Sequence, residues 1–201
     1  NLDVQQVKRT VDELGLQVVA MHASWNALQN ELPTVIADHQ LLGSQFVVCS
    51  SLPQDQRGSA EAWRAAGRTL DAIGARLHEE AGLQLCYHNH AFEFEEKFDE
   101  GYGFDLLYEN SDPRYLQAEI DTYWVQKGGE NPVEYIRKYA RRAPLIHVKD
   151  MAENGDFAEV GTGTLDWPAI LHASEAGGAV AYIVEQDTCP GNPLDSIRVS
   201  Y

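Results

Sequence analysis

The sequence predicts an α/β protein built on a parallel sheet, and three observations lead to this fold class. Six short apolar segments rich in Val, Ile and Leu alternate with longer amphipathic segments. Gly15, Gly43 and Gly82 stand where a helix should end before the next strand. Strand–helix alternation with short connections is typical of a parallel sheet covered by helices. An open doubly wound sheet and a (β/α) barrel both fit this pattern.

The predicted strands read as continuous apolar runs, as expected for strands buried on both faces. They cover residues 16–22, 45–50, 83–90, 116–121, 144–150 and 181–187. The spacing of apolar residues predicts helices over 4–14, 32–42, 59–81, 104–110, 131–140 and 166–177. Ser59 resembles an N-cap, while Pro132 and Pro168 each stand in the first turn of a helix.

The sequence contains no glycine-rich motif that would indicate a nucleotide-binding site. A dinucleotide-binding fold needs GxGxxG directly after its first strand, and the sequence has none. The nearest approach is GTGT at 161–164, which follows a loop and lacks the Lys of a phosphate loop. It is therefore predicted to be a flexible loop that leads into the helix at Asp166.

Length and charge limit the classes of function. A chain of 201 residues has room for one domain with a substantial core. Its formal net charge of −16 works against a polyanionic partner, so we expect no nucleic acid. No apolar run approaches the ~20 residues that cross a bilayer, and the first residues lack a signal-peptide pattern. The cysteines, three in number, lie far apart. We therefore expect free thiols and a cytoplasmic protein without a membrane partner.

Ionisable residues close four of the six predicted strands, at His88–His90, Glu119–Asp121, His147–Lys149 and Glu185–Asp187. Residues two apart on a strand share a face, and parallel strands open their carboxyl ends on one side. Carboxylates and imidazoles that converge there suit a divalent cation. A single charged residue at a strand end is more often a solvated or capping group. Four strands that end alike favour a shared site instead.

Weaker candidates surround these strand ends. His22 closes the first strand, and Glu93 follows the third. Trp124 would wall a sugar pocket, although core packing is the ordinary role of a tryptophan. Lys149 would bind a substrate oxygen or, alternatively, pair with Asp150 or Glu119.

Five segments carry a resemblance to a known family: YHNHAFEFE, EIDTYWV, LIHVKDM, FAEVGTGTLDWPAIL and YIVEQDTCPGNPLDSIR. In this order, and along almost the whole chain, they resemble the xylose isomerase-like barrels, in the sugar phosphate isomerase/epimerase branch. The resemblance implies a TIM (β/α)8-type barrel with a metal at its carboxyl end. Members include sugar epimerases, hydroxypyruvate isomerase, inosose dehydratase, 3-keto-sugar lyases and endonuclease IV.

The resemblance also implies roles for individual residues. Asp121, His147 and Glu185 match metal ligands of the family, and His88 stands where the first ligand is usually a Glu. The cofactor would be a divalent ion such as Mn²⁺, Co²⁺, Mg²⁺ or Zn²⁺. With that Glu replaced, acid–base catalysis would rest on Glu185, His88 or His90. Lys149 matches a position near substrate oxygens and is counted among the catalytic residues with Glu185, His88 and His90. The expected substrate contacts are Glu93, His22 and Trp124.

The match begins at what would be the third strand of eight. We therefore expect a single domain over residues 1–201 that lacks the first two strands and is truncated at its N-terminus. The function implied is that of a divalent-metal-dependent isomerase or epimerase of a keto-sugar or keto-polyol, working by α-proton abstraction and a metal-stabilised enediolate. An inosose dehydratase or 3-keto-sugar lyase at the same site, a phosphodiesterase and a non-catalytic sugar-binding barrel are the alternatives. A small sugar is the expected partner, and association into a homo-oligomer is left open.

Overall fold

The structure is a computed structural model that describes residues 3–98 and 101–201. The strands are β1 (Ala20–Ala23), β2 (Phe46–Cys49), β3 (Gln84–His88), β4 (Lys97–Phe98), β5 (Gly101–Tyr102), β6 (Leu116–Asp121), β7 (Leu145–Val148), β8 (Asp150–Met151), β9 (Phe157–Ala158) and β10 (Ala181–Val184). The helices are α1 (Val4–Glu13), α2 (Trp25–Asn30), α3 (Leu32–Leu42), α4 (Ala60–Ala81), α5 (Phe92–Glu95), α6 (Gly103–Glu109), α7 (Thr122–Lys127), α8 (Pro132–Lys138), α9 (Trp167–Gly177) and α10 (Pro193–Ser200), with a 3-10 turn at Gln54–Gln56.

These residues form two compact units, each with its own core. The first unit is built from the described residues of 1–88 and 98–117, and the second from those of 89–97 and 118–201. Within the described residues, no helix combines the length and apolar character needed to cross a bilayer. The single domain expected over residues 1–201 stays a prediction.

The first unit holds three parallel strands. β2 lies between β1 and β3, with Phe46 opposite Ala20 on one side and Gln84 on the other. The long helix α4 packs on α6 so closely that a Cβ on Gly67 would lie 2.0 Å from the carbonyl oxygen of Leu107. Glycine is therefore required at this crossing, where the backbones of two helices touch.

The second unit repeats the parallel arrangement with β6 from Ala118 onward, β7 and β10. Asp121 lies opposite His147 in the β6–β7 register, and Ile183 lies opposite His147 in the β7–β10 register. This register brings the carboxyl ends of the three strands level with one another. The hairpin of β8 and β9 follows β7 directly and pairs Met151 with Phe157.

The six parallel strands and six helices predicted from the sequence are confirmed, with shifted ends. The first strand begins at Ala20 rather than at residue 16, because Leu16 and Val19 lie exposed on the approach to it. The strand β10 also differs from the expected double burial, since Tyr182 and Val184 are exposed. The sequence analysis missed the short helices α2, α5 and α7, the helix α10 and the β8–β9 hairpin, because all span few residues and lack a full hydrophobic period.

Candidate metal centre

The imidazole of His147 lies at the carboxyl end of β7, surrounded by carboxylates of the second unit. Its Nε2 is 3.1 Å from Glu119 Oε2. Its Nδ1 is 2.9 Å from Glu185 Oε2 and 3.7 Å from Asp121 Oδ2. Glu119 and Asp121 therefore point to the same side of β6, as their two-residue spacing predicts. One ring nitrogen faces Asp121 and Glu185, and the other faces Glu119.

The ammonium of Lys149 lies beside the same group of carboxylates. Its Nζ is 2.9 Å from Asp187 Oδ2, 3.1 Å from Glu185 Oε2 and 3.6 Å from Asp121 Oδ2. The ion pair that the sequence suggested was with Asp150 or Glu119. The observed ion pairs instead join Lys149 to Asp121, the last residue of β6, and to Glu185 and Asp187 in the segment after β10. Glu185 Oε2 is thus shared between the imidazole of His147 and this ammonium.

Hydrogen bonds from neighbouring residues fix the backbone beneath these side chains. The side chain of Asn89 forms two hydrogen bonds with the backbone of Asp121. Its Oδ1 accepts from the Asp121 N–H at 3.0 Å, and its Nδ2 donates to the Asp121 carbonyl at 3.3 Å. The Thr122 hydroxyl lies 3.0 Å from the His147 carbonyl and 2.9 Å from that of Lys149. Asp121 Oδ1 also caps α7 by accepting from the N–H of Trp124. The sequence analysis assigned no role to Asn89 or Thr122, because each acts on backbone atoms of a distant segment.

Burial and charge together shift the pKa values of the group. Burial alone would lower the pKa of His147, but hydrogen bonds to Asp121, Glu119 and Glu185 outweigh it and raise the pKa to about 11. Burial would raise the pKa of Glu185, yet His147 and Lys149 lower it to about 2. The pKa of Lys149 is raised, because Asp121, Asp187 and Glu185 overcome the effect of burial. Near neutral pH both bases therefore carry positive charge and Glu185 is ionised.

Accessibility separates the carboxylates of the cluster. The side chains of Glu119 and Asp121 are 1% and 0% exposed, whereas those of Glu185 and Asp187 are 31% and 41% exposed. Among these four groups, the last two are therefore the ones that an incoming small molecule can touch.

Aromatic rings line the neighbourhood of Lys149. Its Nζ is 5.0 Å from the ring centres of Trp124 and Phe157 and 5.8 Å from that of Tyr123. The ring of His90 lies 5.6 Å from that of Trp124. The carboxylate of Glu93 accepts from the His90 backbone N–H at 2.9 Å and is fully buried. Trp124 and His90, both predicted site residues, therefore lie side by side, and Glu93 supports the turn that carries His90.

The remaining predicted site residues belong to the first unit. His88 is the last residue of β3 and is buried, while His22 lies on β1 and is exposed. Their ring centres are 5.1 Å apart. The assignments of His88 as a metal ligand and catalytic residue and of His22 as a substrate contact stay predictions.

A buried carboxylate organises the GTGT segment. Asp150 is 0% exposed and accepts hydrogen bonds from the backbone N–H groups of Met151, Gly161, Gly163 and Leu165 and from the Trp167 indole. A Cβ on Gly163 would lie 2.3 Å from Asp150 Oδ1, which explains the glycine. The loop expected at 161–164 is thus present and leads into α9 as predicted, but it is tied to the residue that begins β8. The sequence analysis missed this role of Asp150.

The chemistry of the donor set suits a divalent cation. Asp121, His147 and Glu185 each offer one ligand atom, and these atoms lie within 4.8 Å of one another. Two carboxylate oxygens and an imidazole nitrogen are borderline-hard donors, which divalent first-row transition metals accept. Glu119 on the far nitrogen of His147 is the kind of carboxylate that orients a metal-binding imidazole.

The chain is similar in sequence to known inosose dehydratases. Inosose dehydratase of Clostridium beijerinckii is 24% identical over 204 residues, which cover 91% of this chain and 62% of that protein. Inosose dehydratase of Clostridium tetani is 27% identical over 156 residues, covering 67% of this chain and 51% of that protein. The chain therefore spans about three fifths of the length of the first of these relatives and half of the second.

Solved structures share the fold. A sugar phosphate isomerase/epimerase from Parabacteroides distasonis superposes with a TM-score of 0.81 at 24% identity, covering 99% of this chain and 74% of that one. The IOLI protein with a binding zinc atom superposes with a TM-score of 0.74 at 14% identity, covering 100% and 79%. The family model of the xylose isomerase-like TIM barrel matches residues 1–195. The predicted fold class is thereby confirmed, and the chain belongs to the xylose isomerase-like TIM barrel family.

Proposed function

We propose that this chain carries the site of a metal-dependent enzyme that removes the proton next to the carbonyl of a keto-sugar or keto-polyol. The observation that carries the proposal is the buried His147, which is held among Glu119, Asp121 and Glu185. A buried imidazole surrounded by three carboxylates is more typical of a metal centre than of a structural core. Burying so many charged groups costs free energy, and such clusters are concentrated at functional sites.

The proposed ligands are Asp121, His147 and Glu185, with His88 as the fourth that the family resemblance implies. A divalent cation held there would supply Lewis acidity toward the substrate carbonyl, which makes the neighbouring C–H more acidic. Glu119 would keep the imidazole of His147 oriented through its Nε2. Asn89 and Thr122 would hold the strand ends in register beneath the ligands.

Glu185 is the proposed general base. Its carboxylate is ionised, because its pKa is lowered to about 2, and nearly a third of its side chain is exposed. Glu119 and Asp121 also lie near His147, at 3.1 and 3.7 Å, but their side chains are buried, so a substrate carbon does not reach them as easily. If the product is an isomer, Glu185 or a partner, His88 or His90, would donate a proton back to the substrate. If a β-hydroxyl leaves, His88 or His90 would donate a proton to it, so that water departs, and Glu185 would release the proton it took up to the solvent.

Substrate would bind against the exposed half of the cluster. The ring of Trp124 offers a flat face to the apolar side of a sugar. Lys149 is itself buried, and its positive charge would attract substrate oxygens that approach Glu185 and Asp187. His22 is also proposed to contact substrate. Glu93 is proposed to act through the turn that carries His90, because its own carboxylate is buried.

Loss of water is the outcome that the sequence relatives favour. Inosose dehydratases match over more than nine tenths of the chain. After proton removal, departure of a β-hydroxyl gives dehydration of a keto-polyol such as an inosose. The motif resemblance to sugar phosphate isomerases and epimerases supports a second candidate, in which the proton returns to the neighbouring carbon or to the opposite face. Both outcomes begin with the same proton removal by Glu185.

The test follows proton exchange in deuterated water. Purified protein with added Mn²⁺, Co²⁺ or Mg²⁺ is offered inososes and keto-sugars, and NMR records the loss of the α-proton signal. Glu185→Gln should slow exchange by at least about 100-fold, as expected when a general base is removed. The exposed Glu134→Gln on α8 should match the wild type.

Metal content and melting temperature, measured on the same samples, separate loss of the base from loss of the metal or the fold. Exchange at the wild-type rate in Glu185→Gln would refute the assignment of the base. An unsaturated product would indicate dehydration, whereas an isomeric sugar would indicate the second candidate.

A further inference from the structure

Lys149 lies where a cation competes directly with a metal. Its Nζ contacts Glu185 Oε2 at 3.1 Å and Asp121 Oδ2 at 3.6 Å, and both side chains are proposed metal ligands. The same two oxygens face Nδ1 of His147. The oxygens available to a divalent ion are therefore already attracted to a positive charge of the chain itself.

The ammonium is held in place from several sides. The backbone of Lys149 is bonded to the Thr122 hydroxyl, through its carbonyl at 2.9 Å and its N–H at 3.3 Å. The residue is 1% exposed, and the rings of Trp124 and Phe157 frame its Nζ. A lysine so enclosed acts as a fixed charge, unlike the freely moving ammonium of a surface lysine.

Asp187 gives this ammonium a partner outside the ligand set. Its Oδ2 is 2.9 Å from Lys149 Nζ, which is the shortest of the three contacts between this ammonium and a carboxylate. Among the described residues, Asp187 is not part of the candidate metal-ligand group that contains Asp121 and Glu185. If a metal binds Asp121 and Glu185, Lys149 therefore keeps its ion pair with Asp187.

We propose that Lys149 is the built-in counter-cation of the site: it neutralises the ligand carboxylates in the metal-free protein and weakens metal binding so that the ion exchanges readily. This inference rests on the metal site proposed above. Two positive charges near the same oxygens repel each other, and the repulsion is strong in a buried, low-dielectric environment.

The experiment measures Mn²⁺ affinity by isothermal titration calorimetry, with the melting temperature of the metal-free protein as a second readout. Lys149→Met keeps the length of the side chain and removes its charge. It should bind Mn²⁺ about tenfold or more tightly than the wild type, and its metal-free form should melt at a lower temperature. Lys127→Met is the matched control, because Lys127 is exposed and donates to the carbonyl of Gly155. It makes the same change in net charge and should alter Mn²⁺ affinity less than twofold.

The outcomes separate this inference from the proposed function. If the wild type binds one Mn²⁺ and Lys149→Met binds it equally or more weakly, the role of Lys149 is refuted and the metal site stands. If neither protein binds Mn²⁺, both proposals fall. Should Lys149→Met not fold, Lys149→Gln offers the same loss of charge with a polar end, and tighter binding there supports the inference while unchanged binding refutes it.

Discussion

The imidazole of His147 lies between Glu119 on one side and Asp121 and Glu185 on the other, and its pKa is raised to about 11. Both ring nitrogens therefore carry protons in the metal-free protein at neutral pH. A metal ion binds a nitrogen only after that nitrogen has lost its proton. The proton on Nδ1, which faces the other two ligands, is thus in direct competition with the metal.

We predict that each divalent ion displaces about one proton from the protein between pH 7 and pH 9. Because the raised pKa lies above this range, the apparent affinity should increase with pH by up to about tenfold per unit. Calorimetry in two buffers with different ionisation enthalpies measures the released protons. His147→Gln, which has no such proton, should release far fewer. A binding heat that is identical in both buffers would contradict the prediction.

At the scale of the element, the β8–β9 hairpin and the segment that follows it depend on Asp150. Each oxygen of its carboxylate accepts at least two N–H groups, which include those of Gly161 and Gly163 and the Trp167 indole. The hairpin also carries Phe157, which lies beside the ammonium of Lys149. The carboxylate that ties down the glycine loop therefore helps to shape the wall next to the candidate metal centre.

We predict that Asp150→Asn lowers the free energy of unfolding by about 3 kcal/mol, since charge-assisted hydrogen bonds are lost. Whichever way the amide is turned, its NH₂ group faces N–H donors instead of accepting from them. Hydrogen exchange followed by mass spectrometry should show faster exchange over residues 159–167. The exposed Asp156→Asn in the same hairpin should change the unfolding free energy by less than about 0.5 kcal/mol. Unaltered exchange in Asp150→Asn would show that the loop is held by other contacts.

Elements differ in how far the sequence could predict them. The helix α4 and the strand β6 have clear starts and a full hydrophobic pattern, and the prediction was close at both ends. The helix α7 is short and was missed, although Asp121 both caps it and belongs to the candidate metal centre. The sequence analysis assigned Asp121 to metal binding alone and therefore did not consider it as the N-cap of a helix. The role of Asp150 was hidden for a different reason, because its partners other than Met151 lie 11 to 17 residues further along the chain.

The site itself was predictable where it follows from strand periodicity. Glu119 and Asp121 point to the same side of β6, as the two-residue spacing requires, and both approach His147. Lys149, Glu185 and Asp187 follow the ends of β7 and β10, and their side chains meet as the sequence predicted. The distances and exposures that make Glu185 the accessible carboxylate among the proposed ligands could not be predicted, because they depend on packing between strands distant in sequence. The proposed competition between Lys149 and a metal for the same carboxylates could not be predicted either, because it depends on distances between side chains on different strands.

For the whole molecule, an acidic chain with buried carboxylates should gain stability from a divalent cation. We predict that Mn²⁺ at about 100 times its dissociation constant raises the free energy of unfolding by about 2.7 kcal/mol. For a chain of this size that corresponds to a rise in melting temperature of roughly 5–10 °C. Thermal unfolding with and without EDTA measures the effect. His147→Gln should show little of this rise, and an equal rise in that variant would mean that the ion binds elsewhere.

The charges of the cluster have a consequence for the loss of a proposed ligand. Because His147 and Lys149 already offset the carboxylates around them, the positions of these side chains are fixed by partners within the chain. A substitution that removes one proposed ligand would therefore abolish metal binding and leave most of the cluster in place. Metal binding and the shape of the cluster would then depend on overlapping but separable sets of residues.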